Sequence, residues 1–210
     1  MKIAAIANDA LKKEAESKAL APGVEWIWVD PAEALEGQVD ADAWFDLDFV
    51  PESRRIEQLS RLLPRPVVIN SVVHTLKEIG QPFIRINAWP GFLGRNCCEL
   101  AVSSREQEMI AGQLLEKMGW AYRFAPDIPG MISARIVAAI VNEAYYTLQD
   151  KVSTKEEIDT AMRLGTNYPL GPFEWSECIG LEKIDVLLTE LNKADGRYAV
   201  AKALKQAVLD

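Results

Sequence analysis

The run from residue 127 to residue 182, DIPGMISARIVAAIVNEAYYTLQDKVSTKEEIDTAMRLGTNYPLGPFEWSECIGLE, constrains the fold more than any other part of the chain. Pro129-Gly130 is a turn dipeptide, after which Ile132, Ile136, Val137, Ile140, Val141, Ala144 and Leu148 recur at three- and four-residue intervals. That spacing predicts one long helix whose apolar face is buried. Ser153 or Thr154 then caps a second helix, with Glu156 and Glu157 in the first turn, where the helix dipole favours negative charge. Gly165 and Asn167 end it. Pro169, Gly171 and Pro172 form a rigid corner, and Phe173, Trp175, Ile179 and Leu181 beyond it need a core. The residues alone point to an all-helical packing domain, with a helical ligand site as the other reading.

Four blocks in this run occur in a recognisable order: Pro129-Gly130-Met131-Ile132-Ser133-Ala134-Arg135, Asn142-Glu143-Ala144, Glu157-Ile158-Asp159-Thr160-Ala161-Met162-Arg163-Leu164-Gly165, and Asn167-Tyr168-Pro169-Leu170-Gly171-Pro172-Phe173-Glu174. In these blocks the chain resembles the C-terminal domain of the 3-hydroxyacyl-CoA dehydrogenase family. The resemblance implies a fold that is α/β plus all-α. A shortened Rossmann-like, mostly parallel sheet domain is expected over residues 1–126, followed by a helical domain over 127–210, with the boundary at Pro126.

The chain of 210 residues is long enough for one large domain or two small ones. Its net charge of −8 argues against nucleic acid as a partner and weighs against an anionic cofactor. No apolar run approaches a membrane span. The start, MKIAAIANDALKKEAE, passes straight from a short apolar run into charge and reads as a first strand rather than a signal peptide, which predicts a cytoplasmic protein. Cys97, Cys98 and Cys178 lack metal-ligand spacing and read as structural thiols; no metal site is expected.

In the N-terminal half, Ile3 to Ala7, a charged helix from Ala10 to Leu20, and Val24 to Val29 suggest a parallel βαβ unit. A dinucleotide-binding unit would carry Gly-x-Gly-x-x-Gly in its first turn, because the backbone there must approach a pyrophosphate. Ala7-Asn8-Asp9-Ala10 stands there instead, and Asp9 reads as an N-cap. Asp30 stands where such a unit places its ribose-binding acid, but Asp30-Pro31-Ala32-Glu33 equally fits a helix start. Asp46 and Asp48, near the end of an Ala41–Phe49 strand, read as a solvated strand end rather than a metal or acid–base pair. Arg54, Arg55, Arg61 and Arg65, on and just after a Pro51–Leu63 helix, read as a solvated basic face, with a phosphate contact as the other possibility. Further strands are expected at Pro66–Val72, Phe83–Asn87, Glu99–Val102 and Trp120–Phe124, with a helix over Arg105–Gly119.

The resemblance also implies where catalysis would sit. In the family a histidine in a His-Phe-Phe-Asn-Pro run takes the hydroxyl proton, and a glutamate twelve residues on orients it. Here the matching run is Asn87-Ala88-Trp89-Pro90-Gly91, followed by Glu99. The family's substrate-binding serine corresponds loosely to Ser71, and its asparagine at the start of the long helix corresponds to Ala134. The helical insertion after the second strand, which helps hold CoA in the family, has no room between Asp30 and Ala41. Asparagine cannot serve as a base near neutral pH. The expectation is therefore a degenerate member with weak or no NAD binding, taking an acyl-CoA-like small molecule or a partner, and pairing as a homodimer through its apolar long helix and aromatic corner. The other expectation is a rebuilt active site using His74, the only histidine, with Glu99 and Ser71.

Overall fold

In a computed structural model of the chain, residues 1–30 and 39–210 are described, and they divide into two compact units, Met1–Met131 and Ile132–Asp210. The helix start read at Asp30-Pro31-Ala32-Glu33 lies largely outside the described residues.

The first unit is built on a seven-stranded sheet. In chain order it contains β1 (Lys2–Ile6), α1 (Asp9–Ser17), β2 (Glu25–Trp28), β3 (Ala43–Asp46), α2 (Ser53–Ser60), β4 (Val67–Asn70), α3 (Leu76–Ile79), β5 (Ile84–Ile86), β6 (Cys97–Ala101), α4 (Arg105–Met118) and β7 (Ala121–Phe124). The strand order is β2-β1-β3-β4-β5-β6-β7, and every pairing is parallel except β5 with β6. This is the mostly parallel, Rossmann-like sheet that the sequence suggested. Its central strands read as continuous apolar runs because both faces are covered. Ile3, Ala5, Phe45 and Leu47 pack on one face with Ala111, Leu114, Leu115 and Met118 of α4. Ala4, Ile6, Trp44 and Ile69 pack on the other with Leu59 of α2 and Leu76 and Ile79 of α3. From β1 the chain crosses to β2 on one side and to β3 on the other, so the ends of β1 and β3 form the switch point at which open α/β sheets gather their ligands.

Several local expectations change. The N-cap of α1 is Asn8, whose side chain accepts from Leu11 N, so Asp9 is the first helical residue. An asparagine oxygen reaches the third amide as well as an aspartate does, and the extended backbone of Asn8 (φ −71°, ψ 167°) suits the cap. The helix expected at Pro51–Leu63 is limited to α2, and His74 precedes α3, which Thr75 and Glu78 open with a reciprocal capping box.

The second unit holds α5 (Ser133–Gln149), α6 (Lys155–Thr166), α7 (Pro172–Ile179), α8 (Leu181–Ala194), a short 3-10 turn (Gly196–Tyr198) and α9 (Lys202–Leu209). The buried face of α5 is Ala134, Val137, Ala138, Val141, Ala144 and Tyr145, whereas Ile132 and Ile136 are 46% and 51% exposed. The expected apolar face therefore merged two faces: the smaller residues pack, and the isoleucines one turn apart look outward. Phe173 and Trp175 are buried within the unit.

The corner after α6 is explained by Asp159. Its buried carboxylate accepts from Phe173 N at 2.8 Å and Glu174 N at 3.2 Å, capping α7 from a neighbouring helix. A Cβ at Gly171 would overlap the Asp159 carboxylate, so only glycine fits there. Glu174 accepts from Gly171 N at 2.8 Å and pairs with Arg163 at 2.7 Å. The Glu157–Gly165 and Asn167–Glu174 blocks are thus largely the parts of one capped corner. Among the described residues no helix is long and apolar enough to cross a membrane.

Candidate functional site

At or just past the C-terminal ends of β1, β3, β4 and β5 stand Asn8, Asp46, Asn70 and Asn87. At the end of β1, Asn8 Nδ2 donates to Asp48 Oδ1 at 3.1 Å while its oxygen caps α1. The amide is thereby committed on both sides. Asp46 ends β3 and is fully buried, with Arg55 Nε donating to it at 2.6 Å. The expectation of a solvated strand end fails for Asp46, because its side chain turns to the apolar face under α2, and Arg55 leaves the expected solvated basic face to meet it. Burial raises the Asp46 carboxyl above the ordinary carboxylate range, against the lowering influence of Arg55. Arg61 pairs with Glu57 at 2.7 Å on the surface.

At the end of β4, Asn70 bridges to β5: its amide donates to Leu47 O and Ala88 O and its oxygen accepts from Ala88 N, each at 3.0 Å. Ser71 follows, buried, with its hydroxyl donating to the carbonyl of His74 at 2.8 Å. Ser71 thus meets the main chain of His74, whose side chain is exposed. Asp30 is exposed just beyond β2.

Asn87, one residue past β5, is buried, and its Nδ2 stands 3.5 Å from Glu99 Oε2. The antiparallel pairing of β5 with β6 brings them together, since Asn87 N also donates to Glu99 O at 3.0 Å. Asn87 Oδ1 accepts from Trp89 N at 3.4 Å. The loop that follows is held by α1: Glu14 accepts from Gly91 N at 3.1 Å and Gly94 N at 2.8 Å, and Lys18 donates to the carbonyls of Leu93 and Arg95. The loop carries Arg95, stacked 3.8 Å over the Phe92 ring. Burial lowers the Arg95 pKa, with Glu99 and Glu14 opposing.

Sequence reasoning missed Arg85. It is fully buried on β5 and donates to Ser71 O at 2.7 Å, Val72 O at 2.9 Å and Asp127 Oδ1 at 2.5 Å. Asp127 in turn accepts from Leu76 N and Lys77 N, closing the start of α3. The signal was an arginine between two isoleucines in an otherwise apolar strand, which demands buried acceptors. Ala134, in the second unit, is fully buried on α5. Among the described residues no group of three or more His, Cys, Asp or Glu side chains is placed to hold a metal.

Residues 130–210 match the C-terminal domain of 3-hydroxyacyl-CoA dehydrogenase. The chain is 42% identical over 97 residues to 3-hydroxyadipyl-CoA dehydrogenase of Escherichia coli (strain K12), a match covering 45% of this chain and 20% of that protein. It is 34% identical over 117 residues to 3-hydroxybutyryl-CoA dehydrogenase of Clostridioides difficile, covering 48% of this chain and 41% of that one. The matches thus span less than half the length of these curated relatives. The crystal structure of (S)-3-hydroxybutyryl-CoA dehydrogenase PaaH1 from Ralstonia eutropha superimposes with a TM-score of 0.75 at 16% identity, covering 99% of this chain and 93% of that chain. At that identity the likeness is one of fold.

Proposed function

The chain belongs to the 3-hydroxyacyl-CoA dehydrogenase family through its helical half, and from that premise we propose that it is a ligand-binding or partner-binding member without the family's dehydrogenation. In that reaction hydride leaves carbon 3 for the nicotinamide while a base takes the hydroxyl proton. The observation that carries the proposal is the Asn87–Glu99 pair. By the resemblance Asn87 stands at the position of the family's base and Glu99 at that of the glutamate that orients it, and here the two side chains lie 3.5 Å apart. An amide donates and accepts hydrogen bonds but holds no proton acceptor of useful basicity near neutral pH. The pair can orient a polar ligand, and the amide that stands at the position of the base cannot take the proton.

The first turn supports the same reading. Ala7, Asn8 and Asp9 replace the glycines, the α1 N-terminus is capped by Asn8, and the carboxylate of Asp48 lies against that cap. A pyrophosphate at this turn would meet a side chain that already occupies the helix end and a like charge beside it. These residues do not suit a dinucleotide.

An acyl-CoA-like molecule is the ligand class that the relatives' names suggest, and cytoplasmic location belongs to the same reading. Calorimetric titration tests the cofactor side and thermal shift the ligand side. The expected outcome is no saturable heat with NAD and a raised melting temperature with 3-hydroxybutyryl-CoA. Micromolar NAD affinity would overturn the cofactor part, and no shift with any acyl-CoA would move the reading to a protein partner.

A further inference from the structure

We propose that the open edge of β2 is a docking site for a second copy of this chain, paired antiparallel across a two-fold axis. Among the described residues β2 pairs with β1 alone and ends the sheet. Glu25 N donates to Met1 O and Val29 N to Ala5 O, each at 3.0 Å, so the odd-numbered residues face β1. Alternation along a strand then turns the N–H and C=O of Trp26 and Trp28 to the open side. Unpaired groups of this kind are a ready template for another strand. Sheet edges are ordinarily blunted by lysine, proline or an inward charge; β2 reads Glu-Trp-Ile-Trp, with its one charge at the first position.

The strand is complementary to itself. With the axis at Ile27, Trp26 faces Trp28 of the second copy and Trp28 faces its Trp26, and the four outward N–H groups meet four carbonyls. Trp26 and Trp28 already stack at 5.3 Å between centroids and are only half-buried, so pairing would join two indole pairs on one face. On the other face Ile27 meets Ile27, and Glu25 meets Val29, so no like charges are opposed. A four-residue strand pair is short, and belongs with the weak interfaces below about 1,200 Å².

Hydrogen exchange on the full chain across a wide concentration range tests this. The expected result is that the Trp26 and Trp28 amides gain protection as concentration rises. Ile27→Lys, which opposes two cations at the axis, should abolish the gain, and an equimolar mixture of Ile27→Lys with Ile27→Glu should recover it. Amides that exchange equally at all concentrations would overturn the proposal. So would amides protected already at the lowest concentration, since the edge would then be covered within one chain. A gain that Ile27→Lys leaves intact would overturn the two-fold register. The wild-type measurement stands even where the variants fail to fold, and it reads β2 separately from any pairing elsewhere on the chain.

Discussion

The guanidinium of Arg85 and the carboxylate of Asp127 meet at 2.5 Å, and through them β5, the turn after β4 and the N-terminus of α3 are held as one assembly. Burial depresses the Arg85 pKa, and Asp127 opposes that effect. Removing the carboxylate leaves a buried cation with one partner fewer and takes the acceptor from the Leu76 and Lys77 amides at the start of α3. Asp127→Ala should therefore cost about 3 kcal/mol, read from denaturant midpoints at constant m. A cost below about 1 kcal/mol would show the pair to behave as an exposed one.

The α7 corner gives a second prediction. Asp159→Ala removes a carboxylate accepting from two amides, and the loss of such a cap costs about 1 to 2 kcal/mol. Gly171→Ala should cost at least as much, because the added Cβ overlaps Asp159 itself. The two effects should be non-additive, since the side chains share one contact. A double-mutant cycle measures this, and simple additivity would contradict the assignment.

Much of the architecture was legible because it rests on local signals. Glu156 and Glu157 after Thr154, Gly119 after α4 and the apolar runs of β3 and β4 each declare themselves within a few residues. What was not legible depends on contacts distant in sequence. Asp46 reads as a strand-end acid until α2 is folded over it, and Arg85 needs Asp127, far along the chain, to make sense. The long helix was found, but its inward face was misjudged, because small residues such as Ala134 and Ala138 pack closely while Ile132 and Ile136 remain outside. In the site, the twelve-residue spacing from Asn87 to Glu99 was readable and the two do meet. The grip of Glu14 and Lys18 on the intervening loop was not, since nothing in α1 marks those side chains for it.

Asp46 predicts a pH dependence. Its carboxyl is raised by burial in the folded chain, so the folded state holds that proton more tightly than the unfolded state. The corresponding stability is fully present below the unfolded pKa and is lost as pH rises through the folded one. Asp46→Asn, which keeps an acceptor for Arg55, removes this dependence. Relative to that variant, the wild type should be most stable at acid pH and lose ground as pH rises through and above the carboxylate range. Urea unfolding across that range is the measurement, and parallel profiles would contradict the assignment.

Assembly through the helical unit is a separate proposal. It rests on the exposed Ile132 and Ile136, since the aromatic corner is already buried within the unit. Ile136→Glu should lower the mass seen by light scattering at micromolar concentration without lowering thermal stability of the isolated chain. A wild type that is monomeric there would contradict it.

The proposed role of Asn87 beside Glu99 is to bind a ligand without taking its proton. It is tested most directly by steady-state assay of NADH formation from NAD and 3-hydroxybutyryl-CoA, with wild type and Glu99→Ala side by side. The expected result is no saturable NADH formation by either. Saturable, NAD-dependent turnover in the wild type that Glu99→Ala abolishes would contradict it.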